Sequence, residues 1–128
     1  LVDEANGVMV VAHPYRRAYR QEADTGPTAY DDMLDQACRN TVFPKSDAVE
    51  VLNSRGSEKE NTFSSNIAAR FNKRGTGASD AHRLEDLGTF ATEFQQPIHS
   101  LDDFIQELKA GRFNPVVLGK PDGALLDK

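Results

Sequence analysis

Val8, Met9, Val10, Val11 and Ala12 follow one another with no polar residue among them, and the three valines are β-branched. A strand without a polar side cannot lay one face in water, so this run predicts a strand covered on both faces, as in a parallel sheet. Pro14 ends it. The rest of the chain suits such a sheet, because strand-like and helix-like segments alternate along it. Ala29 to Arg39 carries Met33, Leu34, Ala37 and Cys38 at helical spacing, with Asp31 and Asp32 placed to complement a helix start. Residues 47–52 form a second strand candidate ending at Asn53. Glu58 to Asn72 follows, with Phe63, Ile67, Ala68 and Phe71 on one stripe and a stop near Gly75. Gly75 to Ser79 and Thr89 to Phe94 are the next strands. Ser100 caps a helix whose Leu101, Phe104, Ile105 and Leu108 are expected in the core, with Asp103 at its third position and Gly111 closing it. Pro115 to Leu118 is a last short strand. This order predicts α/β architecture with a largely parallel sheet and flanking helices.

At 128 residues the chain has the size of one compact domain and is small for a complete barrel enzyme. We expect one unit over residues 1–118 and a flexible tail over 119–128. Leu1 to Asn6 read as the end of a helix and Gly7 as its stop, so the chain is expected to open inside a structural unit and to be a fragment of a longer protein. No apolar run reaches the length needed to cross a bilayer, which excludes a membrane-spanning role. The net charge of -5 argues against a general nucleic-acid binder, because counterion release needs a clustered basic face. Cys38 is the single cysteine, so no internal disulfide forms, and its helical setting reads as a small buried apolar residue. A reducing cytoplasm is the expected compartment.

Two groups of residues carry chemistry. Ala12-His13-Pro14 and Ser79-Asp80-Ala81-His82 each fall where a β-prone run becomes a loop. Ligands gather at the C-terminal ends of strands in α/β sheets and barrels. His and Asp are ligands suited to Zn, Mn or Fe, and an Asp-x-His pair on an extended chain puts two donors on the same side. Arg16, Arg17 and Arg20 lie just beyond His13 and suit a phosphate or another small anion; they read equally well as a solvated loop.

On these residues the sequence resembles the PHP superfamily, the polymerase and histidinol phosphatase domains. The match takes in Gly7 through Pro14 (GVMVVAHP), Ala48 through Asn53 (AVEVLN), Gly77 through His82 (GASDAH), Leu87-Gly88 and Asp103 through Phe113 (DFIQELKAGRF), in the family's order. The resemblance implies the C-terminal portion of a distorted (β/α)7 barrel that holds up to three divalent metal ions, Zn, Mn or Fe, and hydrolyses phosphate esters with a metal-activated water. It makes His13 a ligand of one metal, Asp80 of a second and His82 of a third. Asp80 and His82 are then the catalytic residues, and Arg16 and Arg17 the substrate-binding ones. The implied partners are a phosphorylated small molecule or a nucleotide, with nucleic acid only as a substrate end, and the missing N-terminal half of the domain.

The departures from the pattern matter as well. The family's first half carries a His-x-His pair, another histidine, a bridging Glu and a further histidine, none of which is present. His99 precedes the last helix and reads as a surface residue near an N-cap. Glu50 matches the later Glu-x-x-Asn segment and is expected to anchor a loop rather than bridge metals. Three ligands shared among different metals do not close a multinuclear site. Hydrolysis is therefore expected of the complete domain, with this chain alone holding metal weakly. The rival expectation is a non-catalytic PHP-like module with an interaction or regulatory role, whose open sheet edge pairs with a partner or with itself. A metal-dependent amidohydrolase with similar ligands is the weaker match.

Overall fold

The computed structural model describes residues 1–15 and 27–119. The segment with Arg16, Arg17 and Arg20, and the residues from 120 on, where a tail is expected, lie outside the described residues.

Three strands, β1 (Val10–Val11), β2 (Ala48–Asn53) and β3 (Arg74–Ala78), form a parallel sheet in the order β1-β2-β3. Val10 and Val11 pair with Ala48 and Val49, and β2 pairs with β3 from Ala48↔Arg74 to Asn53↔Ala78. The register shifts between Glu50 and Leu52, so Val51 has no opposite number. Two further strands, β4 (Phe90–Phe94) and β5 (Phe113–Val117), pair antiparallel with each other. The largely parallel expectation thus holds for the first three strands and fails for the last two. Although the helix Leu101–Ala110 lies between them, β5 runs back along β4, from Phe94↔Phe113 to Phe90↔Val117. No barrel is closed among the described residues.

The Val8 to Ala12 run is less enclosed than its composition predicts. Only Val10 and Val11 join the ladder, and Val10 stays 37 % exposed. The physical reason is position: β1 is the edge of its sheet and has a neighbour only in β2 among the described residues. Met9 extends the contact by donating its N–H to Asp47 Oδ2 at 2.7 Å and accepting from the Asp47 N–H at 2.8 Å.

Four α-helices accompany the strands: α1 (Pro27–Ala37), α2 (Val42–Lys45), α3 (Glu58–Arg70) and α4 (Leu101–Ala110). Alternation along β2 sends its side chains into two clusters. Val49 and Val51 pack with Leu34, Ala37, Phe43, Phe63, Ile67 and Ala68, whereas Ala48 packs with Leu108 and Phe113. Phe43, Phe63, Ile67 and Phe113 are fully buried, each contributing roughly 2 kcal/mol by removal from water. Tyr15 meets Phe63 edge-on at 5.0 Å, tying the segment after β1 to α3.

The helix ends have local causes. Ser57 and Glu60 form a reciprocal capping box at the start of α3, and the Ser100 hydroxyl accepts the Asp103 N–H at 3.1 Å at the start of α4. Each of three C-terminal turns closes with a left-handed residue followed by an N–H bonded back five residues. These are Asn6 with Gly7 N–H to Val2 C=O, Asn72 with Lys73 N–H to Ala68 C=O, and Gly111 with Arg112 N–H to Glu107 C=O. Asparagines therefore take the stops expected at Gly7 and near Gly75. Asp31 and Asp32 fall beyond the first turn of α1, because that helix already begins at Pro27. Leu101 is 71 % exposed instead of buried; the first turn of α4 overhangs the core, and Glu107 is buried in its second half. Among the described residues no helix is long and apolar enough to cross a membrane.

Candidate functional site

Parallel strands bring their C-terminal ends to one edge of the sheet, and the residues singled out by motif lie just past those ends. His13 follows β1 by two residues and Asp80 follows β3 by two. Both hold positive φ, 24° and 48°, an uncommon state for non-glycine residues that concentrates at functional positions. The loops after β2 and β3 are stitched together. Ser54 donates its N–H to Ala78 C=O at 3.2 Å and its hydroxyl to Ser79 C=O at 2.5 Å.

Asp80 and His82 share one turn. His82 Nδ1 lies 2.8 Å from the Asp80 carbonyl oxygen and 3.9 Å from Asp80 Oδ1. A carbonyl oxygen only accepts, so the bond requires the proton on Nδ1 and leaves the Nε2 lone pair as the donor nitrogen of the neutral ring. The His82 side chain is 58 % exposed and the Asp80 side chain 18 %. His13, exposed at the end of β1, is separated from this turn by β2, roughly 10 Å at the spacing of strands in a sheet. Among the described residues no three His, Cys, Asp or Glu side chains converge closely enough to hold a metal ion. The geometry thus brings Asp80 and His82 together and leaves His13 on the same edge but apart.

Glu50 is 8 % exposed, and its Oε1 accepts the Asn53 amide at 2.7 Å. Asn53 in turn accepts the Arg55 N–H on its Oδ1 at 2.9 Å and exchanges two bonds with Asn61. The Glu-x-x-Asn segment therefore shapes the β2–α3 loop. His99 is exposed, and its N–H bonds Asp103 Oδ2 at 3.0 Å ahead of α4.

Two residues of this edge escape a motif reading. Asp86, in the 3-10 turn Leu84–Asp86, accepts the backbone N–H groups of His82 and Arg83 on Oδ2, each at 3.2 Å. Arg55 reaches the same oxygen at 3.7 Å from the β2–α3 loop. The His82 N–H first, then the Arg83 and Arg55 cations, outweigh desolvation and hold the Asp86 carboxyl below the usual carboxylate range. The one sequence signal was the four-residue spacing of Asp86 from His82, which by itself is common.

A cavity of about 550 Å³ lies elsewhere, between the start of α3 and the β4–β5 ribbon, lined by Ser57, Asn61, Ser65, Phe90, Pro115 and Val117 among others. It takes in none of the motif residues. Cys38 is half-buried and its thiol is pushed up by burial, which keeps it protonated and unreactive.

Residues 58–113 match the family described as PHP-associated. The matched span runs from α3 to the start of β5 and includes Asp80, His82 and Asp86. No curated protein and no solved structure matches the chain.

Proposed function

We propose that the chain is part of a metal-dependent phosphoesterase of the PHP type, and that it supplies His13, Asp80 and His82 as ligands to divalent metal ions, Zn, Mn or Fe. The observation that carries this reading is the Asp80–His82 turn, where a half-buried carboxylate and an imidazole with its Nε2 lone pair free stand at the end of a parallel strand. The donor chemistry fits a borderline divalent metal, and the donor number falls short of a closed site. Further donors then come from the rest of a distorted (β/α)7 barrel or from a second copy of the chain. When bound, such metals supply a hydroxide nucleophile at neutral pH. The chain's own part is to present Asp80 and His82 on one turn, with Arg16 and Arg17 neutralising phosphate charge on a phosphorylated metabolite or a nucleotide end.

The second reading, a non-catalytic PHP-like module, draws support from the absence of three converging donors among the described residues. Phosphate release from a simple aryl phosphate, measured with added Mn2+ or Zn2+, separates the two. Metal-dependent turnover that disappears in His82→Ala supports the phosphoesterase. Inactivity of the chain alone follows from its incomplete donor set, whereas inactivity of a complete domain that supplies the remaining donors favours the module.

A further inference from the structure

We propose that Asp86 is the positioning residue of the His82 imidazole: it fixes the turn in which Nδ1–H bonds back to the Asp80 carbonyl and Nε2 is presented outward. A ring nitrogen's partner decides which nitrogen is protonated, so whatever fixes the backbone of this turn also fixes the tautomer. Asp86 has the contacts to do so. One carboxylate oxygen takes the N–H groups of His82 and Arg83 together, pinning the backbone two residues beyond Asp80. The Asp86 backbone is itself held: its C=O accepts the hydroxyl of buried Thr89 at 2.8 Å, and its N–H donates to Arg83 C=O at 3.1 Å. Arg55 ties the carboxylate to the neighbouring strand end, and Arg55 is rooted through Asn53 on Glu50. A chain of named contacts therefore runs from the buried end of β2 to the ring of His82. Side chains that orient a ligand in this way usually change metal affinity by about 10- to 100-fold when removed.

The importance of the tautomer for metal binding rests on the phosphoesterase reading, whereas the tautomer itself does not. The test is 15N NMR of the His82 ring in the metal-free chain, above the pH at which the ring is protonated, with Zn2+ titrations of the same samples. Wild type is expected to show Nδ1–H, Asp86→Ala to shift towards the Nε2–H form favoured by free imidazole, and Asp86→Asn, which keeps an oxygen acceptor, to restore the wild-type spectrum. Asp86→Ser, too short to span both N–H groups, serves if Asp86→Ala does not fold. Zn2+ affinity is expected to drop about tenfold in Asp86→Ala and to recover in Asp86→Asn. An Nε2–H ring in wild type, or an unchanged ring in Asp86→Ala or Asp86→Ser, overturns the proposal. If wild type binds no Zn2+, the ligand set of the proposed function is not formed by this chain alone, while the ring spectra still judge the role of Asp86.

Discussion

The hydroxyl of Thr92 serves both backbone groups of Gly77, accepting the N–H at 3.0 Å and donating to the C=O at 2.9 Å. One side chain on β4 therefore does at the outer edge of β3 what a neighbouring strand's backbone does inside a sheet. Without it a buried N–H and C=O face the β4–β5 ribbon with no ladder partner, and an unmet buried group costs about 1–3 kcal/mol. Thr92→Val, equal in shape but without the hydroxyl, is expected to lower stability in urea unfolding by about that amount, and Thr92→Ser by clearly less. A loss in Thr92→Ser with none in Thr92→Val would show that the methyl group, not the hydroxyl, carries the contact.

Gly75 and Gly77 both exclude a side chain, for different reasons. A Cβ at Gly75 meets Val51 Cγ2 at 2.3 Å, while one at Gly77 meets the Ala91 carbonyl oxygen at 2.5 Å. Overpacking of this kind costs about 1–3 kcal/mol. Gly75→Ala is expected to regain part of its lost stability when combined with Val51→Ala, since the second change opens the space the first one needs. Gly77→Ala meets backbone, so no single side-chain truncation should rescue it. Thermal unfolding of the two single variants and the double variant checks both statements.

Glu107 and Arg112 form a paired contact across the C-terminal turn of α4, with Arg112 Nε at 2.9 Å and Nη2 at 2.5 Å from the carboxylate oxygens. The Arg112 hydrogen bonds hold the Glu107 carboxyl below its ordinary range, against desolvation. A carboxyl with a depressed native pKa stabilises the fold above its unfolded pKa, and that contribution is lost as pH falls through the native value. The Tm difference between wild type and Glu107→Gln is therefore expected to be constant near neutrality and to shrink below the ordinary glutamate range. A difference independent of pH would mean that burial and shape, not charge, explain the effect of the variant.

Much of this was readable from residue order alone. The β2 and β3 strands fall within one residue of where the sequence places them; in β2 the valines bounded by Ser46 and Asn53 leave little choice. The α3 stripe and the Ser100 cap of α4 are equally local signals. Strand direction is not local: period-2 alternation is the same whichever way β5 runs, and a helix before it argued for the parallel sense. Leu101 lies on the apolar stripe of α4, but its exposure depends on where the ribbon stops. At the candidate site the Asp-x-His pair was visible, whereas Asp86 and Arg55 were not, since their partners are backbone N–H groups and an oxygen on another loop. His13 lies outside the family match and stands on the same edge as Asp80 and His82 without joining them.

The most direct test is a Zn2+ and Mn2+ titration of the chain by calorimetry, with His13→Ala, Asp80→Ala and His82→Ala in parallel. If the strand-end edge is a ligand set, wild type binds metal and Asp80→Ala and His82→Ala each weaken binding about tenfold or more. His13→Ala, two strands away, should have a smaller effect. Binding that is absent from wild type, or that survives unchanged in Asp80→Ala and His82→Ala, would contradict it.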